Sequence, residues 1–122
     1  MVQKKILVVD DEPTITRLLK LNLEKTGAYL VREENLGGKA HLAARDFKPD
    51  LILLDVMMPD MDGPSTLRVL QQQGVTIPVI FLTAKVQPAD RQKFMQLGVR
   101  GIISKPFDPL TLGQQIKEML AW

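Results

Sequence analysis

The sequence predicts a doubly wound α/β fold built on a parallel sheet, and three observations predict it. Short runs rich in Val, Ile and Leu recur along the 122 residues without the alternation of a half-exposed strand. Such runs are typical of strands that are covered on both faces. Amphipathic segments with helical spacing separate them. The alternation of strand and helix favours a parallel sheet, since parallel strands need crossover connections, and right-handed crossovers place helices on both faces.

Four apolar runs and one more polar segment are the predicted strands. The polar segment, 29–33, is expected at an edge of the sheet, because its side chains are poorly suited to burial on both faces. In chain order the predicted strands are 6–9, 29–33, 51–54, 78–82 and 101–103.

Five amphipathic segments are the predicted helices, and proline, glycine and aspartate mark their ends. Pro13 is tolerated in a first helical turn, Gly74 and Gly98 are stop signals, and Asp108 followed by Pro109 is typical of a helix start. In chain order the predicted helices are 13–25, 39–47, 64–73, 88–97 and 108–120.

The length and composition indicate one globular domain covering residues 1–122. The sequence contains no cysteine, which excludes disulfides, thiolate metal sites and thiol catalysis. The net charge is +2 and no long run of like charges occurs, so we expect no direct nucleic-acid binding by this chain.

No segment approaches the roughly 18 apolar residues of a membrane-spanning helix. The apolar stretch near the N-terminus is too short for a signal peptide. We therefore expect a cytoplasmic protein without a membrane partner.

Polar side chains lie where the four predicted apolar strands end. Asp10 and Asp11 follow the first strand, Asp55 follows the run 51–54, Thr83 follows 78–82, and Lys105 comes shortly after 101–103. In an open parallel sheet the carboxyl ends of the strands lie at one edge, and ligands bind in the crevice outside them. Three carboxylates, a hydroxyl and an ammonium are thus expected to converge.

The chemistry of this group follows from its charges. Carboxylates this close repel one another, so a proton or a cation must settle among them, and a hard divalent ion such as Mg²⁺ prefers oxygen ligands. Asp55 could then act as a nucleophile toward phosphorus, as carboxylates do in aspartyl-phosphate chemistry. Lys105 and Thr83 would bind phosphoryl oxygens.

Four motifs resemble those of the receiver domain of two-component response regulators, and the resemblance covers essentially the whole chain. They are Asp10-Asp11-Glu12, Asp55 in Asp-Val-Met-Met-Pro-Asp-Met-Asp-Gly, Thr83-Ala84 and Lys105-Pro106-Phe107. The resemblance implies a flavodoxin-like sheet in the strand order 2-1-3-4-5 with five helices.

The resemblance also implies the roles of the metal-site residues. Asp55 is the phosphoacceptor and binds Mg²⁺ directly together with Asp11, whereas Asp10 binds through water. The backbone carbonyl of Met57 completes the protein ligands. Mn²⁺ is an alternative ion for the same site.

Phosphoryl contacts and partners are implied in the same way. Thr83, Ala84 and Lys105 form the phosphoryl-binding set, and the Lys105–Pro106 peptide bond is expected to be cis. The phosphoryl donor is a phosphohistidine on a sensor histidine kinase or a histidine phosphotransfer protein. The output is an unidentified partner or an attached output domain, and a homodimer through the fourth helix, fifth strand and fifth helix is one assembly that the resemblance allows.

One position departs from the family pattern. Three residues before the lysine the family usually carries Tyr or Phe, which turns inward when the threonine engages the phosphoryl group, whereas this chain has Ile102. Isoleucine is stiff at χ1 and has no hydrogen-bonding tip. We therefore predict a muted or rerouted switch.

Two other functions remain open from the sequence. Ile102 keeps open a pseudo-receiver that binds partners without phosphorylation, although the acid cluster and Lys105 favour phosphorylation. A flavin- or nucleotide-binding protein would share the sheet topology. However, the acidic loop after the first strand would repel a phosphate group where such folds place glycine.

Several conspicuous residues are predicted to be structural. Asp60 and Asp62 are expected to shape the loop and start the next helix rather than to bind metal. Apart from the Met57 carbonyl, Met57, Met58 and Met61 are interpreted as packing and loop residues. His41 is interpreted as an ordinary helix residue, and Trp122 as a packing residue at the end of a helix.

Overall fold

A computed structural model describes residues 3–122 as a parallel sheet with helices on both faces. Strands and helices alternate along the chain, and a short 3₁₀ turn, Gly37–Lys39, precedes the second helix. The elements are β1 (Lys4–Val9), α1 (Pro13–Glu24), β2 (Tyr29–Glu34), α2 (Ala40–Phe47), β3 (Leu51–Asp55), α3 (Gly63–Gln72), β4 (Val79–Thr83), α4 (Pro88–Gln96), β5 (Gly101–Ser104) and α5 (Leu112–Leu120).

The five strands lie in the order β2-β1-β3-β4-β5, and each neighbouring pair is parallel. This confirms the predicted fold class and strand order, with β2 at an edge. The register places Asp55 opposite Leu82, and Thr83 opposite Ser104. The ends of three neighbouring strands therefore meet at one edge of the sheet.

The two faces of the sheet bury two separate apolar clusters. On one face Ile6 and Val8 pack with residues of α1 and α5, and on the other Leu7 and Val9 pack with residues of α2, α3 and α4. Successive side chains of a strand point to opposite faces, so one uninterrupted apolar run supplies both clusters. Complete burial of a Leu or Ile side chain contributes about 1.5–3 kcal/mol. These strands therefore form a rigid support for the residues at their ends.

The fifth helix begins later than the sequence predicts. The predicted start at Asp108 is wrong, because residues 109–111 form a turn and α5 begins at Leu112. The carboxylate of Asp108 accepts a hydrogen bond from the Leu110 amide at 2.9 Å. Aspartate often holds a turn in this way, and the same residue pattern is typical of a helix cap.

None of the helices within residues 3–122 is long and apolar enough to cross a bilayer.

Candidate functional site

Three carboxylates meet at the carboxyl edge of the sheet. Asp10 follows β1 and Asp55 ends β3, and each of Asp10, Asp11 and Asp55 offers an oxygen within 4.8 Å of the others. Asp10 and Asp55 are only 0% and 3% exposed, whereas Asp11 is half-buried. Two nearly buried acids and one more accessible acid thus face the same point, as the strand-end pattern predicts.

Lys105 supplies the positive charge of the site. Its ammonium lies 2.8 Å from Oδ2 of Asp10 and 3.0 Å from Oδ1 of Asp55. The Lys105 side chain is 22% exposed, so its head reaches the two buried acids from the surface. One cation therefore compensates part of the charge of the cluster.

Burial and charge shift the pKa values of the two central groups. The pKa of Asp55 is raised from 3.8 to about 6. Burial is the largest cause, the hydrogen bond from Lys105 acts against it, and the charge of Asp10 adds to the rise. Burial alone would lower the pKa of Lys105, but its hydrogen bonds and charge interactions with Asp10 and Asp55 outweigh burial and raise it. Lys105 is therefore an ammonium at neutral pH, paired with carboxylates.

The end of β3 is fixed by tight backbone packing. Leu51, Ile52, Leu53 and Leu54 are at most 1% exposed. After the strand the chain returns to it, since the Gly63 amide donates to the Val56 carbonyl at 2.8 Å. A Cβ at Gly63 would lie 2.9 Å from the carbonyl oxygen of Asp55, so only glycine fits this approach. The backbone at Asp55 is therefore held both by the buried strand that precedes it and by the loop that returns to it.

Thr83 reaches the same edge from β4. It is 1% exposed, and its hydroxyl accepts a hydrogen bond from the Lys85 amide at 2.9 Å. Its carbonyl accepts from the Lys105 amide, also at 2.9 Å, which ties the ends of β4 and β5 together. Ala84, next in the chain, is exposed beside this edge.

The loop after β3 contains the remaining predicted ligand. The Met57 amide donates to Oδ1 of Asp55 at 3.4 Å, and the Met57 side chain is 60% exposed. The role of the Met57 carbonyl stays a prediction. Asp62 caps α3 by accepting from the Ser65 amide at 2.7 Å, and Asp60 accepts from two backbone amides. The prediction that these two acids shape the loop is confirmed.

Three further expectations can be compared with the structure. The Lys105–Pro106 bond is cis, as predicted. Trp122 packs 6.1 Å from the Tyr29 ring, beside the Lys4 ammonium, which confirms its packing role. Tyr29 and Lys4 begin their strands, so this cluster lies at the opposite edge of the sheet from the acids. His41 lies in α2 with a buried Nδ1 that has no hydrogen-bond partner among the described residues.

Asn35 is a site residue that the sequence reading missed. Its side-chain amide donates to the Asp10 carbonyl at 2.8 Å and to the Thr16 hydroxyl at 3.1 Å. Asn35 directly follows β2, so the same strand-end rule that identifies Asp10 and Asp55 could have found it. Asn35 was not predicted, because β2 is polar and the strand-end prediction concerns the apolar runs.

A large apolar groove opens beside the acid cluster. It has a volume of about 710 Å³ and is lined by Leu18 and Leu21 of α1, by Ala84, and by the segment after β5. Lys105 lines it as well, so the groove and the carboxylates share that residue. The side chains of Leu18 and Leu21 are 53% and 62% exposed.

The donor set fits a magnesium ion. The clustered groups are carboxylates, the hard oxygen ligands that Mg²⁺ prefers, and the cluster contains no sulfur or imidazole donor that would favour a softer metal. Asp11 is accessible enough for an ion that keeps part of its water shell.

Comparison with known proteins defines the class. Residues 6–117 match the model of the response regulator receiver domain, so the chain belongs to this family of two-component signalling switches. Receiver domains of response regulators take phosphoryl groups from kinases. The family membership favours the receiver interpretation over a flavin- or nucleotide-binding protein.

Individual relatives are of two lengths. The chain is 43% identical over 117 residues to the alkaline phosphatase synthesis transcriptional regulatory protein PhoP of Bacillus subtilis, covering 96% of this chain and 48% of that protein. It is 40% identical over 119 residues to protein PilH of Pseudomonas aeruginosa, covering 96% and 98%. The chain thus spans about half the length of PhoP and nearly all of PilH.

Solved structures show the same fold. Chemotaxis protein CheY4 of Vibrio cholerae superposes with a TM-score of 0.86 at 30% identity, covering 97% of this chain and 99% of that chain. The BeF₃-activated receiver domain of RstA from Klebsiella pneumoniae gives 0.86 at 29% identity, covering 98% and 100%.

Proposed function

We propose that residues 1–122 form one receiver domain that catalyses its own phosphorylation on Asp55, depends on Mg²⁺, and acts as a cytoplasmic signalling switch. One observation carries the proposal: Asp55 is 3% exposed, is paired with Lys105 and lies within 4.8 Å of two further carboxylates. A purely structural aspartate gains nothing from two neighbouring carboxylates, because each of them raises the cost of its charge.

The chemical step transfers a phosphoryl group from a histidine nitrogen of the donor to a carboxylate oxygen of Asp55. An oxygen of the Asp55 carboxylate forms the bond to phosphorus while the bond from phosphorus to the donor's histidine nitrogen breaks. The imidazole leaves with the bonding electron pair and takes up a proton. Water later attacks the acyl phosphate, which releases inorganic phosphate and restores the carboxylate.

Each residue at the edge has a role in this step. Lys105 pairs with a phosphoryl oxygen as a point charge, and the Ala84 amide donates to another. Thr83 accepts a hydrogen bond from Lys85 through its oxygen, so its proton remains for a phosphoryl oxygen. Asp11, Asp55 and the Met57 carbonyl would hold Mg²⁺ directly, and Asp10 would hold it through water. The ion would supply positive charge against the incoming phosphoryl group.

The donor is a phosphohistidine protein, either a histidine kinase or a phosphotransfer protein, and the groove along α1 is its docking surface. Leu18 and Leu21 are exposed there, and Lys105 lies in its lining. A partner seated on these side chains would bury apolar surface and bring its histidine to the edge of the sheet.

Phosphorylation with a small-molecule donor tests the proposal without a partner. The protein is incubated with Mg²⁺ and acetyl phosphate, and intact mass and peptide mapping locate the product. We expect one phosphoryl group on Asp55, none in Asp55→Asn, and a normal yield in Asp62→Asn, which changes an exposed acid of the same segment. The absence of any adduct or beryllofluoride complex in the wild type would instead identify a pseudo-receiver.

A further inference from the structure

We propose that the loop between β2 and α2, residues 35–39, is a brace that positions the two halves of the carboxylate cluster. Asn35 and Asp60 are the positioning residues that fasten it. One half of the cluster, Asp10 and Asp11, follows β1, and the other half, Asp55, ends β3. The inference rests on the proposed function, since it concerns how the Mg²⁺ ligands keep their separation.

The first end of the brace is fastened to the segment that carries Asp10. The Asn35 amide group donates to the Asp10 carbonyl at 2.8 Å and to the Thr16 hydroxyl at 3.1 Å. The Asp10 amide donates in turn to the Glu34 carbonyl at 3.1 Å. Thr16 is 0% exposed, so Asn35 connects the strand end to a buried position of α1.

The second end is fastened to the loop that follows Asp55. Oδ2 of Asp60 accepts from the Gly38 amide at 2.9 Å, and Oδ1 accepts from the Gly37 amide at 3.3 Å. Hydrogen bonds to an ionised acceptor are stronger than neutral ones. Both oxygens of Asp60 are therefore hydrogen-bonded to the brace, and Asp60 does not belong to the cluster formed by Asp10, Asp11 and Asp55.

The two loops are also in backbone contact. A Cβ at Gly37 would lie 2.7 Å from the Thr66 hydroxyl oxygen and 2.9 Å from the Met61 carbonyl oxygen. No side chain fits at that distance, so a glycine is needed for Asp60 to reach the amides. Close packing and the paired hydrogen bonds together hold the brace in place against the loop that follows Asp55.

The consequence for the site follows from the positions along the chain. Met57, whose carbonyl is the proposed ligand, lies between Asp55 and Asp60. The Gly63–Val56 hydrogen bond closes the base of this loop, and Asp60 holds its far side. Loss of either fastening would let the Met57 carbonyl move relative to Asp10, and metal affinity depends on such outer contacts.

Magnesium titration of matched variants tests the brace. Calorimetry would give the Mg²⁺ dissociation constant for the wild type, Asp60→Ala, Asp60→Asn, Asn35→Ala and Asp62→Ala. We expect Asp60→Ala and Asn35→Ala to weaken binding about tenfold, the lower end of the range for groups that orient metal ligands. Asp60→Asn should recover part of the loss, because its amide oxygen still accepts from one glycine amide.

Asp62→Ala is the matched control, since it removes the same charge from the same loop. It should lower stability through loss of the helix cap and leave the dissociation constant close to the wild-type value. If Asp60→Ala and Asp62→Ala weakened Mg²⁺ binding equally, loss of charge alone would explain the effect and the brace would be refuted. A wild-type dissociation constant in folded Asp60→Ala would overturn it too.

The double variant separates one brace from two independent contacts. In a single brace, losing the hydrogen bonds at either end already frees the loop. The double variant Asp60→Ala with Asn35→Ala should therefore bind Mg²⁺ no more weakly than the single variant with the lower affinity. Independent contacts would instead multiply to about a hundredfold loss.

Amide spectra recorded without metal keep the brace testable if the proposed function fails. A wild type that neither binds Mg²⁺ nor accepts a phosphoryl group would refute the proposed function. The brace still requires Asp60→Ala, and not Asp62→Ala, to shift the amide signals of Asp10 and Met57. Unchanged signals would overturn it.

Discussion

The ammonium of Lys105 lies 3.0 Å from Oδ1 of Asp55, so the proposed phosphoacceptor is already paired with the cation that would bind the incoming phosphoryl group. The same ammonium is 2.8 Å from Oδ2 of Asp10. Lys105 therefore neutralises the carboxylates that a divalent ion would also neutralise. A divalent ion bound here would compete with Lys105 for the same negative charge.

Lys105→Met should move metal binding and phosphorylation in opposite directions. Removing the competing ammonium should tighten Mg²⁺ binding about fivefold, because a partly exposed ion pair is worth about 1 kcal/mol. Phosphorylation by acetyl phosphate should slow about a hundredfold, as when a donor to a developing charge is lost. Calorimetry and mass spectrometry measure the two effects.

Lys85→Met is the control for the charge change, since Lys85 is exposed and lies close to the same edge of the sheet. It should change neither quantity appreciably. Weaker Mg²⁺ binding in Lys105→Met would show that Lys105 holds the carboxylates in place rather than competing for them.

Asp55→Asn should raise the free energy of unfolding at pH 7. The folded-state pKa of Asp55, about 6, lies above the ordinary value of 3.8. The stability contributed by this carboxyl is therefore fully present below pH 3.8 and is lost as the pH rises through 6. The loss is at most about 3 kcal/mol.

Urea denaturation of both proteins at pH 7 and at pH 4 measures this effect. The variant should be more stable by about 1–3 kcal/mol at pH 7, and the difference should fall to about 0.5 kcal/mol at pH 4. Asp62→Asn should match the wild type at pH 7, because Asn caps a helix as well as Asp. A difference of equal size at both pH values would mean that the Asp55 charge is not its source.

The convergence of Asp10, Asp55, Thr83 and Lys105 could be predicted from the sequence for a simple physical reason. Each lies at or shortly beyond the carboxyl end of a strand run, and parallel strands place those ends together. The fold could be predicted from the same runs, because they are long enough for strands, too short for helices and separated by segments with helical spacing.

Other features depend on side-chain geometry that the pattern does not contain. Asp108 and Pro109 suit a helix cap and a turn equally, so the start of α5 was misplaced. The position of Asn35 after β2 places it at this edge, but its hydrogen bond to the Asp10 carbonyl is a side-chain contact that no sequence motif specifies. The double ion pair of Lys105 follows from the path of its side chain across the edge, which strand order alone does not specify.

Leu18→Glu should impair transfer from a phosphohistidine protein while leaving acetyl phosphate as good a donor as before. Leu18 lines the groove beside Lys105, and a carboxylate there would be desolvated by a docked partner. The measurement compares rates from acetyl phosphate and from a phosphorylated histidine phosphotransfer protein that phosphorylates the wild type.

Leu42→Glu is the matched control, because Leu42 of α2 is 52% exposed and Leu18 is 53% exposed. It should leave both rates unchanged. Equal rates from the protein donor in Leu18→Glu and the wild type would place the docking surface elsewhere.

Ile102 should limit how far phosphorylation of Asp55 alters the surface formed by α4, β5 and α5. Ile102 is 7% exposed and lies opposite Phe81 in the sheet register, within the cluster that contains Phe94. The rings of Phe81 and Phe94 pack edge to face with centroids 5.3 Å apart. The Ile102 side chain is stiff and already packed inward. It therefore cannot make an outward-to-inward movement when Thr83 turns toward a phosphoryl group.

Amide chemical shifts recorded with and without beryllofluoride and Mg²⁺ measure this limit. The comparison is with a receiver domain that carries Tyr or Phe at the position of Ile102. Signals beside the site, such as those of Met57 and Lys85, should move in both proteins and so establish that the complex has formed. Signals from α4, β5 and α5 should move less in this protein, and comparable movement there would show that the switch works without the aromatic side chain.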